Sequence, residues 1–173
     1  MNRRKWFWVS ITLAVALLVG TLTACSKKAE EIVAPDFTLQ TIEGETFTLS
    51  HLRGQPIMLT FWSINCSACK YQKPFIQEFY DEWPDKALKL LTVNTGDHPI
   101  AVQQYAASDN VTFPILLDTN RKVAQSYGLP GVPVTIFIDV KGNITAYKIG
   151  AFQSSGDIEK AVESIWSLLT KAS

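Results

Sequence analysis

Histidine, cysteine and net charge are all in short supply. The 173 residues include two histidines and three cysteines, and 16 basic groups balance 16 acidic ones. Balanced charge removes the electrostatic ground for a nucleic-acid partner. A structural zinc site usually takes four ligands. Cys66 and Cys69 have no second cysteine pair to join them, and His51 and His98 stand alone as solvated loop residues. Neither an internal repeat nor a low-complexity stretch occurs, and no residue pattern calls for a cofactor. What is present is apolar material, 47% of the chain, enough for one proper core. One domain and a short targeting segment account for the length.

The longest apolar run, Trp6 to Leu22, has 17 residues, short of the roughly 20 that a spanning helix needs. Arg3, Arg4 and Lys5 precede it, and small residues follow. That order is the layout of a signal peptide. Leu22-Thr23-Ala24-Cys25 resembles the lipobox of bacterial lipoproteins. The resemblance implies removal of residues 1–24, lipidation of Cys25 and a polar tether over 25–34. Two acyl chains, at about 0.8 kcal/mol per buried CH₂, anchor a protein durably. Taking those three basic residues from 16 leaves 13 against 16 acids over 25–173, so the exported domain over 35–173 is mildly acidic. It is expected on the extracytoplasmic face of the cell membrane.

From Pro35 onward strands and helices alternate. Phe37–Leu39 and Thr46–Leu49 flank Glu43-Gly44 as a small hairpin. Ile57–Trp62 reads as a buried strand and Ser67 to about Trp83 as a helix, interrupted or kinked at Pro74. Strands follow at Leu88–Asn94, Phe113–Leu117 and Val134–Asp139, with helices at Ile100–Ala107 and Arg121–Tyr127. Lys141-Gly142-Asn143 turns the chain into Ile144–Ile149, a second hairpin. In the last helix Ile158, Ala161, Val162, Ile165, Trp166, Leu168 and Leu169 recur on one face. The pattern predicts an α/β domain, a central mixed sheet flanked by helices.

Chemistry concentrates in Cys66-Ser67-Ala68-Cys69, where a buried strand ends and a helix begins. A pair this closely spaced closes too small a loop to be a useful staple. Free N–H groups at a helix start favour a thiolate. Cys66 is therefore expected to attack a partner disulfide, and Cys69, a turn deeper, to resolve the mixed disulfide. Further along, Gly131-Val132-Pro133 opens a strand with proline, for which a cis Val132–Pro133 bond is a reason.

Ala34-Pro35-Asp36-Phe37-Thr38-Leu39, Leu52-Arg53-Gly54-Gln55-Pro56, Phe61-Trp62 with Cys66-Ser67-Ala68-Cys69-Lys70, and Gly131-Val132-Pro133 occur in order. Together they resemble the tethered TlpA- and ResA-like branch of the thioredoxin superfamily, over Ala34 to about Thr170. The resemblance implies a thioredoxin fold with an N-terminal β-hairpin extension and a cis-proline packed beside the cysteines. It also implies a substrate site at Val132, Pro133 and Trp62, with the Val132 backbone pairing with an extended peptide. Implied partners are extracytoplasmic protein thiols and disulfides, apocytochrome c among the family's clients, and a CcdA- or DsbD-like membrane electron donor.

Departures from the pattern are Asn65, Ala68, Gln72 and Thr60; the last two stand where relatives carry acids. No catalytic acid and no cytochrome-maturation role is therefore carried over. Lys70 is read as solvated. A membrane-anchored thiol–disulfide oxidoreductase working as a reductant is the expected activity. Two alternatives stand beside it. The opening also resembles peroxiredoxins, although Asn65-Cys66-Ser67 lacks their Pro-x-x-x-Thr-x-x-Cys pocket. A non-catalytic binding module on the same fold is the other.

Overall fold

The computed structural model describes residues 31–83 and 87–171. Cys25 and the segment read as a signal peptide lie outside these residues. Eight strands form one mixed sheet: β1 (Ile32–Val33), β2 (Thr38–Thr41), β3 (Thr46–Thr48), β4 (Ile57–Trp62), β5 (Lys89–Thr95), β6 (Ile115–Asp118), β7 (Val134–Ile138) and β8 (Asn143–Ile149). Among the described residues four α-helices accompany them: α1 (Ser67–Glu82), α2 (Pro99–Ser108), α3 (Lys122–Ser126) and α4 (Ser155–Leu169). The strand order is β1-β8-β7-β4-β5-β6-β2-β3. β4, β5 and β6 run parallel, and every other pairing is antiparallel.

All six residues of β4 are buried. Successive side chains of a strand point to opposite faces, so complete burial requires cover on both. Met58 and Trp62 join Ile76, Phe79, Val102, Ile158 and Val162 in one core layer. Ile57, Leu59 and Phe61 join Phe37, Leu49, Val123 and Tyr127 in the other. The central strand is thereby held on both sides, and its carboxyl end delivers the chain to α1.

The hairpin expected around Glu43-Gly44 is present as β2 and β3, with Leu39 opposite Phe47. It joins the main sheet through β6, Gln40 pairing with Leu117. The second hairpin turns at Gly142, φ +87°, where the Arg53 guanidinium occupies the space a Cβ would need. Helix α1 runs without interruption through Pro74.

Besides that uninterrupted helix, two further expectations need correction. The segment read as a polar tether ends in structure: Ile32 and Val33 pair with Ile144 and Asn143, and Ala34 is buried and donates its N–H to Gly142. Backbone pairing can recruit a segment whose side chains stay exposed, which an apolar-pattern reading does not register. In α4, Leu168 is exposed while Leu169 is buried, because a helix near the end of the domain contacts the sheet along a narrower stripe.

Candidate active site

Strand β4 ends at Trp62, and the link Ser63–Asn65 is fastened by Asp97. That carboxylate accepts from the Ile64 N–H at 2.8 Å, the Asn94 amide at 2.8 Å and the Ser63 hydroxyl at 3.4 Å. Cys66 then caps α1 with an extended backbone, φ −91°, ψ 111°, its Sγ accepting from the Cys69 N–H at 3.1 Å. The sulfur thus occupies the place of an N-cap oxygen, facing the orphan donors and positive end of a 16-residue helix. Cys66 is half-buried, whereas Cys69 is only 4% exposed. The two sulfurs are joined as a disulfide, their Cα atoms 5.2 Å apart.

The Val132–Pro133 peptide bond is cis, as the sequence predicts. It sets the Val132 carbonyl 3.4 Å from Cys66 Sγ. Pro133 leads directly into β7, and its carbonyl accepts from Gly150 at 2.9 Å. Cys66 and Val132 open together onto a cleft of about 420 Å³, shared with Asn65, Thr95, Arg121 and Gly131.

Trp62 is elsewhere. It is buried, donates from its indole N–H to Thr92 Oγ1 at 3.2 Å and packs on Tyr105. Its ring lines a separate, partly open cavity of about 20 Å³ with Cys69, Thr60, Gln72 and Thr92. The ring of Trp62, expected at the substrate site, thus lies outside the Cys66 cleft: strand alternation turns position 62 toward the helix-covered face. The cavity is of a size to hold roughly one water.

The positions where relatives carry acids are filled by neutral, satisfied groups. Gln72 is buried, and its Oε1 accepts from the Phe152 N–H at 3.2 Å. Thr60 and Thr135 share a hydroxyl–hydroxyl bond of 3.0 Å. Lys73 and Tyr105 also border the cavity, but neither brings a free charge. Burial, then the neighbouring Asp109 carboxylate, pushes the Tyr105 phenol up to about 12. The hydrogen bond from Lys73, 2.6 Å, in turn holds the Asp109 carboxyl below its ordinary value. Among the described residues, those lining the cavity beside Cys69 include no carboxylate.

Both histidines are exposed. His98 nevertheless caps α2 through Nδ1, accepting from Ile100 at 3.3 Å. Sequence reasoning missed Asp97 and Arg121. The Gly96-Asp97-His98-Pro99 run signals only a turn before a helix, and nothing local ties it to a link some 30 residues upstream.

Cys66, Cys69, Val132 and Pro133 come together, then, as one site able to exchange disulfides. A family model, AhpC/TSA family, matches residues 32–147. Thiol-disulfide oxidoreductase ResA of Geobacillus thermodenitrificans is 33% identical over 132 residues, 76% of this chain and 75% of that protein. Among solved structures, StoA from Bacillus subtilis superposes with a TM-score of 0.66 at 31% identity, covering 74% of this chain and 96% of that one. The pneumococcal exposed lipoprotein thioredoxin from Streptococcus pneumoniae gives 0.65 at 27% identity, with 75% and 99% covered. The chain belongs to the AhpC/TSA family, has the thioredoxin fold, and is a thiol–disulfide oxidoreductase of the ResA and StoA kind.

Proposed function

We propose that this enzyme is held by lipid on the extracytoplasmic face of the membrane and reduces disulfides in exported proteins there. The observation that carries the exchange chemistry is the half-buried Cys66 Sγ beside the Val132 carbonyl, over a shielded Cys69. In each cycle the Cys66 thiolate attacks a partner disulfide, forming a mixed disulfide and releasing one partner thiolate. Cys69 then attacks Cys66 Sγ, the second partner sulfur leaves as thiolate, and Cys66–Cys69 ends oxidised by two electrons. A CcdA- or DsbD-like membrane donor would restore the dithiol. An extended client strand would lie along Val132 by backbone pairing.

Support for the anchor comes from the order of charged start, apolar run and Leu22-Thr23-Ala24-Cys25, and from the pneumococcal neighbour's description as a lipoprotein. The preference for reduction follows the resemblance to tethered relatives. Cys25→Ser should abolish acyl labelling and membrane retention; labelling that persists would remove the anchor. A Cys66–Cys69 potential near about −270 mV supports a reductant, and one near about −120 mV an oxidant.

A further inference from the structure

Two left-handed backbone positions, distant in sequence, meet at the cleft beside Cys66. Gly96 has φ +80° and Arg121 has φ +60°, ψ 15°. The Arg121 side chain lies against Gly96 so closely that a Cβ there would overlap its guanidinium. Only glycine both takes that φ freely and leaves that space.

Arg121 is exposed and, among the described residues, is the one charged side chain lining the cleft. No carboxylate among the described residues is within ion-pair distance of it, the ion pair there being Lys73–Asp109. The carboxylates closest to it along the chain segments concerned are engaged elsewhere. Asp97 holds Ser63, Ile64 and Asn94. Asp118 is buried and accepts from the Val123 and Ala124 N–H groups at 3.2 and 2.9 Å. A cation with no carboxylate partner among the described residues, laid across a glycine in the cleft that the attacking sulfur shares, is complementary to a negative group arriving with the substrate.

We propose that Arg121 is a specificity-determining residue that pairs with an Asp or Glu side chain carried by the client protein within a few residues of its reacting cysteine. The inference rests on the protein-disulfide reading above and names the clients it favours: disulfides in an acidic local sequence. Cysteine geometry sets whether exchange occurs, and Arg121 sets which peptide reacts faster.

The test uses the reduced full chain and peptides whose single cysteine is disulfide-linked to neutral mercaptoethanol. The peptides differ only in Asp, Asn or Lys two residues after the cysteine, and rates are read by rapid quenching. Exposed ion pairs are worth about 0.2–1 kcal/mol, so the Asp peptide should outrun the Asn peptide by a factor between about 1.4 and five at low salt, less as salt rises. Arg121→Gln should bring that ratio to about one, Arg121→Lys should keep most of it, and Arg121→Glu should invert it in favour of the Lys peptide. A merely structural Arg121 would slow all peptides alike and leave the ratio standing in Arg121→Gln, which overturns the proposal. Equal Asp and Asn rates in the unmodified protein, with exchange intact, would overturn it while sparing the oxidoreductase reading. An Arg121-dependent preference confined to glutathione disulfide would make small thiols the source of the carboxylate and overturn it too. Absence of exchange with every peptide would sink both readings.

Discussion

Cys66 and Cys69 are chemically identical and three positions apart, yet their surroundings differ in each respect that governs reactivity. Cys66 caps the helix, receives an N–H at 3.1 Å and borders the open cleft. Cys69 is buried among apolar groups, where a charged sulfur is disfavoured. Reduced protein should therefore be alkylated first at Cys66 at mildly acidic pH, as mapped by peptide mass. Cys69→Ser should accumulate a mixed disulfide with its client, because no second sulfur releases it, while Cys66→Ser should trap little. Preferential alkylation of Cys69 would reverse the two roles. The order of the sulfurs was legible in the sequence, since a strand followed by Cys-x-x-Cys places the first at a helix start. The neutral pocket under the second was legible only as two missing acids, Thr60 and Gln72. That Gln72 serves the Phe152 backbone depends on a contact 80 residues away.

Among the elements, the opening segment depends on one carboxylate. Asp36 Oδ1 accepts from the Phe37 and Ser50 N–H groups at 3.0 and 2.9 Å, joining the approach to β2 to the turn at Leu49–Leu52. Burial pushes its carboxyl up, but the bonds from Ser50 and Phe37 and the Arg53 charge outweigh that and leave it below its ordinary value. Since the folded value lies below the unfolded one of about 3.9, the stabilisation is fully present above that pH. It is lost as pH falls through the folded value. Asp36→Ala should cost about 1 kcal/mol at pH 7, with the gap to the parent protein narrowing toward pH 3 in urea unfolding. A gap independent of pH would mean that the carboxylate charge contributes nothing. Periodicity identified these strands; the bridge between them joins residues whose spacing carries no pattern.

For the molecule as a whole, the point of interest is where the folded domain starts. Ile32 and Val33 extend the sheet beyond β8, and Ala34 is buried against Gly142. Beginning the chain at residue 35 instead of 31 should lower stability by about 1–2 kcal/mol, from two or three lost backbone bonds and the burial of Ala34. Urea midpoints of the two proteins would show it, and coincident midpoints would return 31–34 to the tether. At the opposite edge the hairpin's place beside β6 was equally hidden, because strand order follows from which edge remains unpaired once the centre has assembled.

By itself the sequence determined the alternation of strands and helices, the redox pair, the proline loop and the likeness to lipoproteins. Each is written in neighbouring residues, as period, spacing or a short motif. Tertiary structure alone decided that Val132 meets Cys66, that Trp62 turns away from the cleft, and that Asp97 fastens the link before the cysteines. It alone laid Arg121 over Gly96. These are contacts between segments brought together by the sheet, and a linear pattern carries no distance between residues that only folding makes neighbours.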